Sequence, residues 1–428
     1  MKILPFIYLI LILTACQKQR QPVAHFDDYG KYLTNGLLVD QDAIHKELKF
    51  WNERRLKNPN DENSLLKMAG LYAEVFRTSG SIAYIQLSDS LYTLVLKQYP
   101  EGNVEVLQSL AMNAIAQHRF VDAKNYAEEA VSLKDKQAAS LLILADVCLE
   151  IGDYAKANNI LAQFKNKNSF AYLIRKAKAK DHEGKADSAI ACMEKAYARI
   201  KGNKVLAQWA LSNLGDMYGH AGKVEAAYKN YLEVLRINPS HDHALKGIAW
   251  ICLSHDGNFR DAKKIINAMA TVGFQPELQL WLSTIAEMEN NEFQKKQHLN
   301  NFRSLVSSQD YKAMYSKYLA LVEAEEFNPS TAVAIAEIEI KNRPTPDSFD
   351  LLAWAYYQQE NLEKALDIAK HRVKDKTFEP LAIYHLGMIY LANGDRSMAK
   401  KYLTKSLDSE FELGPSIRRR INLTLQDL

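Results

Sequence analysis

Apolar side chains recur three and four residues apart along most of the chain, which is the spacing of one face of an α-helix. Between residues 42 and 56, for example, Ile44, Leu48 and Trp51 lie roughly on one face. Only 17 glycines and 11 prolines occur in 428 residues, whereas Leu, Ala, Lys and Glu are frequent. This composition favours helices and leaves few of the turns that many short strands require. The sequence therefore predicts an all-α protein.

The helical pattern repeats with a fixed period after about residue 60. Two antiparallel helices approach closely only where a side chain is small, so a recurring Gly or Ala marks each contact between them. Ala69, Ala177 and Ala286 mark weaker units of this kind. An interval of 34 residues separates three pairs of such small residues: Ala111 and Ala145, Gly215 and Ala249, and Ala353 and Gly387. This regularity predicts about nine or ten copies of one helical hairpin.

The clearest of these units resembles a tetratricopeptide repeat. It matches the pattern of that family at eight positions: Leu211, Leu214, Gly215, Tyr218, Gly222, Ala227, Tyr231 and Pro239. Residues 352–369 and 386–403 carry two further good units. The resemblance implies a right-handed superhelical α-solenoid of helix-turn-helix repeats, whose first helices line a concave surface.

We expect the array to occupy residues 61–412. A separate helix is predicted in residues 41–60, and a capping helix in residues 413–428, where Ile417 and Ile421 share a face. Three arginines follow one another at positions 418 to 420. We expect them to be solvated on the cap rather than to form a site for an anionic partner.

The N-terminal residues are predicted to be a targeting segment. Lys2 precedes an apolar run over residues 3–13, which is too short to cross a bilayer but has the length of a signal-peptide core. The sequence Leu-Thr-Ala-Cys that ends at Cys16 resembles the lipobox of bacterial lipoproteins. The resemblance implies that Cys16 carries the lipid anchor. An ordinary secretory peptide that happens to contain a cysteine is the alternative.

The lipobox resemblance also sets the expected boundaries and location. Residues 1–15 would be the signal peptide, and the polar residues 16–40 are expected to form a flexible tether between the lipid and the folded body. Gln17 follows the cysteine. In the sorting rule of that family, this residue favours the outer membrane. We therefore expect a protein held in the cell envelope on a membrane surface, with the periplasmic and the external face both open.

Signals for chemistry are absent from the sequence. The net charge of +3 is too small to supply the basic field that nucleic-acid binding needs. Neither glycine-rich phosphate loop occurs, and His182-Glu183 lacks the second histidine of a zinc-protease helix. Cys148, Cys192 and Cys252 lie far apart and are expected in the core. We expect no catalysis, cofactor or metal. The stretch 76–87 is predicted to be longer than an ordinary turn and is the only candidate for an enzyme site, but it holds no acid–base pair.

The candidate site is the concave face of the array. The repeat frame projects a few positions of each first helix inward, and aromatic side chains there can anchor a peptide. The candidates are Trp209, Asn213, Asp216, Trp250, Trp354, Tyr357 and Tyr384. These aromatic residues could instead pack against neighbouring repeats. The hypothesis is a scaffold for an envelope protein or peptide; the alternative is a glycan or nutrient receptor that uses the same aromatic side chains.

Several segments also resemble a widespread group of bacterial exported repeat proteins that have no assigned activity. They are the residues 50–59, beginning Phe50-Trp51-Asn52, the residues 342–345 and 352–355, and the residues 384–389. The resemblance extends over nearly the whole chain after the targeting segment. It implies one long array and brings no catalytic residues.

Overall fold

The computed structural model describes residues 21–35, 42–99, 103–200, 202–271, 273–308 and 311–428. Within these ranges the chain forms helices and no strands, as predicted. No helix in the described ranges is long and apolar enough to span a membrane. The predicted signal peptide and Cys16 lie outside the described residues.

Twenty-three α-helices follow one another in the described ranges. They are α1 (Phe26–Asn35), α2 (Asp42–Lys57), α3 (Glu62–Ser79), α4 (Ile82–Gln98), α5 (Val104–Ala116), α6 (Phe120–Ser132), α7 (Gln137–Glu150), α8 (Tyr154–Ala162), α9 (Phe170–His182), α10 (Ala186–Ala198), α11 (Lys204–His220), α12 (Val224–Ile237), α13 (Asp242–Trp250), α14 (Phe259–Met269), α15 (Glu277–Met288), α16 (Glu292–Ser308), α17 (Lys312–Glu326), α18 (Pro329–Asn342), α19 (Pro346–Gln358), α20 (Leu362–Ile368), α21 (Pro380–Ala392), α22 (Arg396–Ser406) and α23 (Glu410–Gln426). Short π-helices extend α13 over Ile251–His255 and α20 over Ala369–Val373.

Helices α3 to α22 pair in chain order into ten antiparallel hairpins, which agrees with the predicted nine or ten repeats. In the clearest unit, Gly222 adopts a φ of +70° between α11 and α12, a conformation that glycine reaches without steric cost. One expectation about the turns is wrong. The stretch 76–87 is no long insertion, because α3 continues to Ser79 and α4 begins at Ile82.

Two glycines allow a close contact between two successive hairpins, because they leave room for an aromatic ring. The ring of Tyr231 on α12 lies between Gly215 on α11 and Gly247 on α13. A Cβ atom added at either glycine would stand 2.3 Å from the ring, so no larger residue fits there without displacing it. Tyr231 therefore joins two hairpins, and the small residues of the repeat make room for it.

The superhelix turns far enough that distant hairpins touch. Each inter-helix turn of the early hairpins meets a segment six or seven hairpins further along the chain. The Tyr311 hydroxyl donates to the Gly80 carbonyl at 2.8 Å, and the Asn342 side-chain amide donates to the His118 carbonyl at 2.7 Å. Gly152 packs on Thr345 in the same way. The array thus surrounds an inner groove that is lined by its first helices.

The prediction of a flexible tether is wrong for residues 21–35, which include α1. The backbone N–H groups of Val23 and Ala24 both donate to the Asp256 carboxylate at 2.9 Å. Tyr29 on α1 is fully buried against α12 and α14, with its hydroxyl 3.7 Å from the Cys252 sulfur. Sequence polarity suggested a tether because α1 buries only a few side chains, which leaves its overall composition polar.

The C-terminal helix differs from the predicted solvated cap. Helix α23 contacts α11, the π-helical end of α13, α15 and α21, so it lies in the inner groove and does not simply cover the last hairpin. Its kink is at Gly414, whose φ is +75°, followed by Pro415. Arg420, expected in solvent, reaches Glu325 at 3.0 Å and Glu287 at 3.2 Å.

Candidate functional site

The open part of the groove lies along α9 and α11. Trp209 on α11 is 41% exposed, and its ring meets the edge of the Phe170 ring on α9 at a centroid distance of 5.9 Å. Met112 and Leu206 extend the apolar wall of the same cleft, which has a volume of about 570 Å³. Asn213, one turn after Trp209, donates its side-chain amide to the Trp209 carbonyl at 2.7 Å. The cleft therefore combines an exposed aromatic side chain with apolar neighbours.

Asp216 stands at the end of this cleft and also lines a second cavity. It accepts a hydrogen bond from the Tyr231 hydroxyl at 2.7 Å, and His243 Nε2 lies 2.7 Å from its other oxygen. Burial lowers the pKa of His243, but the hydrogen bond and the negative charge of Asp216 outweigh burial and raise it above the ordinary value. Asp216 is thus engaged in holding neighbouring hairpins together.

The second cavity, of about 510 Å³, lies between the array and α23. Trp250 and Trp281 form its aromatic wall with their ring centroids 5.6 Å apart, and Tyr318 stands opposite. The indole N–H of Trp250 donates to the Phe411 carbonyl on α23 at 3.0 Å. Trp250 therefore lines this cavity, but the chain's own C-terminal helix already contacts it.

Trp354 and Tyr384 are not exposed on the concave face. Both are only 2% exposed, within a core cluster that includes Leu413 of α23. Trp354 stacks on His385 at 3.9 Å and on the half-buried Tyr357 at 4.6 Å. The alternative interpretation, packing against neighbouring repeats, holds for Trp354 and Tyr384. Neither side chain is available to a partner while α23 is in place.

Acidic side chains meet where α9, α21 and α23 approach one another. Burial raises the pKa of Glu412 to about 7, and the nearby carboxylates of Glu379 and Asp181 add to this effect. His220 and Lys317 act in the opposite direction. Among the residues that the structure describes, no three His, Cys, Asp or Glu side chains could together hold a metal ion.

The raised pKa of Glu412 predicts a pH-dependent stability. A carboxyl with a pKa of about 7 in the folded chain and 4.5 as its ordinary value stabilises the fold fully below pH 4.5, and this contribution is lost as pH rises through 7. We expect Glu412→Gln to retain more of its stability than the unaltered chain between about pH 5 and about pH 8, by a Tm difference on the order of 1 °C. Thermal unfolding of both chains at the two pH values measures this difference. Parallel pH profiles would contradict the assignment.

One position of the repeat predicts which side chains face the groove, and only some of the residues at that position are among the candidates from the sequence. The residue after each small contact residue faces the groove in several repeats, and sequence reasoning took it only where it was aromatic or at Asp216. The same position in the other units is occupied by Met112, Asp146 and Lys178, which line the open cleft, and by Glu287, which binds α23. Phe170 and Trp281 lie at other positions of their helices, and Phe411 lies on α23 outside the repeats, so this position of the repeat could not indicate them.

Comparison with known proteins agrees with the repeat pattern. The family model of the tetratricopeptide repeat matches residues 210–241 and 381–412. No curated protein matches the chain in sequence. These two segments correspond to the hairpins α11–α12 and α21–α22.

Similar solved structures share little sequence with this chain. Yeast Tom70 is 11% identical, with a TM-score of 0.37 over 86% of this chain and 97% of that chain. A tetratricopeptide repeat protein from Parabacteroides merdae is 16% identical, with a TM-score of 0.35 over 60% of this chain and 97% of that chain. The Cut9–Hcn1 hetero-tetramer of the APC/C is 11% identical, with a TM-score of 0.35 over 86% and 96%. The chain thus contains two tetratricopeptide repeats, and eight further helical hairpins accompany them in the residues that the structure describes.

Proposed function

We propose that the protein is a lipid-anchored scaffold of the bacterial cell envelope that holds another envelope protein or a peptide in its inner groove. The observation that carries this proposal is the exposed Trp209 in the cleft between α9 and α11. A tryptophan offers a large rigid contact area together with one hydrogen-bond donor, and such residues dominate the energy of many protein interfaces. We propose no enzymatic activity for this groove.

The walls of the cleft favour a partner with an apolar side chain flanked by polar groups. Arg175 closes one side and is itself held by Asp146, with its Nη2 2.6 Å from the carboxylate. Lys178 beside it pairs with Glu150. Because these charges are paired within the chain, the cleft does not select strongly for either sign. Shape and apolar contact around Trp209 would then determine what binds.

The proposed anchor at Cys16 has a geometric consequence for the scaffold. Val23, whose N–H is bound to Asp256, lies seven positions after Cys16. Seven residues span at most about 25 Å when fully extended. A lipid on Cys16 would therefore keep the side of the array that carries α1 close to the membrane.

Replacement of Trp209 tests the proposal. We expect Trp209→Ala to reduce the recovery of a cross-linked partner from membranes by about tenfold or more, since truncating a central aromatic anchor commonly costs 2 kcal/mol or more. The matched control is Phe293→Ala on α16, because Phe293 is 79% exposed and does not line the cleft. Equal recovery with both variants, or no protein above background with the unaltered chain, would contradict the proposal.

A glycan or nutrient receptor is the second candidate. The observation that favours it is the pair Trp250 and Trp281 opposite Tyr318, because aromatic faces of this kind can stack on sugar rings. Intrinsic tryptophan fluorescence distinguishes the two candidates. A response to oligosaccharides and not to peptides would favour the receptor.

A further inference from the structure

The groove binds a backbone carbonyl that the kink in α23 leaves without a helical partner. In a continuous helix the Phe411 carbonyl would accept the N–H of residue 415, but Pro415 has no N–H to donate. Trp250 Nε1 donates to this carbonyl at 3.0 Å, and the Ser254 hydroxyl donates at 2.6 Å. Two side chains of the array thus replace the missing helical hydrogen bond. Both donors therefore bind a carbonyl that lacks a helical partner only because the helix is kinked.

Two carboxylates of the array bind the arginine on the next turns of α23. Arg420 places Nη1 3.0 Å from Glu325 and Nη2 3.2 Å from Glu287. Ser416 also donates a hydrogen bond to Glu287. Glu287 and Glu325 belong to first helices of neighbouring hairpins, α15 and α17. The groove therefore presents an acidic clamp for a cationic side chain.

An aliphatic ridge on α23 fits between these polar contacts. Three of its residues stand four apart after the kink, so they share one face, and Leu413 lies just before the kink; all four belong to or pack against one core cluster with first-helix residues such as Leu321. They are Leu413, Ile417, Ile421 and Leu425. An amphipathic helix in an apolar groove, fixed by a few polar contacts, is a recurrent mode of peptide recognition.

The contact between α23 and the array is incomplete. A cavity of about 510 Å³ is lined by Phe411 and Ile417 of α23 and by Trp281 and Tyr318 of the array. This cavity is partly open to solvent, so the first turns of α23 are not packed against the array on that side. Glu412, in the first turn of α23, also lies beside the like-charged Glu379. These features distinguish α23 from a helix that is packed as part of the core along its whole length.

We propose that the groove floor beneath α23 is itself a partner-binding surface, and that α23 is its resident occupant. The partner is an amphipathic helix of the same chemistry as α23. It has aliphatic residues four apart and an arginine that reaches Glu287 and Glu325. This inference rests on the proposed scaffold function and specifies its partner. Binding of the partner displaces α23 from the groove.

A labelled synthetic peptide of residues 410–428 serves as the probe in fluorescence anisotropy with the full chain. Arg420→Ala in the chain weakens the resident helix, so a larger fraction of the grooves is open. We expect the peptide to bind this variant about tenfold more tightly than the unaltered chain. The same peptide carrying R420E is the matched control, and we expect it to bind neither chain.

Hydrogen exchange on the unaltered chain provides a measurement that does not depend on how well the variant folds. We expect the amides of α23 to exchange about tenfold or more faster than those of α21 and α22, because displacement requires α23 to open on its own. Equal protection of the three helices, or equal peptide affinity for the two folded chains, overturns the proposal. Should α23 prove fixed while the Trp209-dependent partner is still recovered from membranes, this inference fails and the scaffold function stands.

Discussion

Replacing Cys16 with serine should move most of the protein from the membrane fraction to the soluble fraction. A serine hydroxyl cannot replace the thiol that the lipobox resemblance makes the site of acylation. Each CH₂ of a buried acyl chain contributes about 0.8 kcal/mol to membrane binding, so two or more chains hold a protein firmly where one does not. Fractionation of cells that produce Cys16→Ser, followed by detection of the protein in pellet and supernatant, measures the effect.

The matched control is Cys192→Ser. It removes one thiol from the half-buried surface of α10 and leaves the proposed anchor intact. We expect this variant to remain with the membrane. Metabolic labelling with a fatty acid should mark the unaltered chain and Cys192→Ser, but not Cys16→Ser. If Cys16→Ser sediments with membranes as fully as the unaltered chain, the lipid anchor is refuted and another contact holds the protein to the membrane; if both chains are soluble, the segment is an ordinary secretory peptide.

Tyr231→Ala should lower the free energy of unfolding by about 3–5 kcal/mol, the range found when a large buried aromatic side chain is truncated in a core. Tyr231 is 4% exposed and lies between Gly215 and Gly247 of adjacent hairpins. Glycines cannot fill the space that the ring vacates, so two hairpins lose their contact at once. Denaturant titration followed by circular dichroism measures the loss.

The conservative variant Tyr231→Phe separates packing from hydrogen bonding. It keeps the ring between the two glycines and removes only the 2.7 Å hydrogen bond to Asp216. We expect a cost of about 1 kcal/mol, the usual net value of one hydrogen bond. A loss in Tyr231→Phe as large as that in Tyr231→Ala would show that the hydroxyl, and not the ring, joins the hairpins.

The repeat architecture could be predicted because its signal is local and periodic. Gly215, Tyr218 and Gly222 each serve one hairpin, and the 34-residue interval repeats their spacing along the chain. The positions of α1 and α23 could not be predicted in this way. Val23 binds Asp256 and Phe411 binds Trp250 across more than 150 residues of sequence, and no periodic pattern encodes such contacts.

The candidate site was predicted in part for the same reason. Trp209 and Trp250 each line a cavity of the groove, and the repeat frame could indicate such positions because it follows from the geometry of one hairpin. It could not show that Trp354 and Tyr384 are buried, since they share a core cluster with residues of α23, a helix outside the repeats. Exposure depends on the complete superhelix.

The contacts between distant hairpins affect how the array responds to a stretching force. An open solenoid behaves like a spring, in which each repeat touches only its neighbours and the ends can fray independently. Here Tyr311 holds the turn at Gly80, and Asn342 holds the turn at His118, so successive coils are fastened to each other. Stretching the molecule or unwinding one end must break these fastenings first. The superhelix therefore resists extension, and the width of its inner groove is held by these contacts.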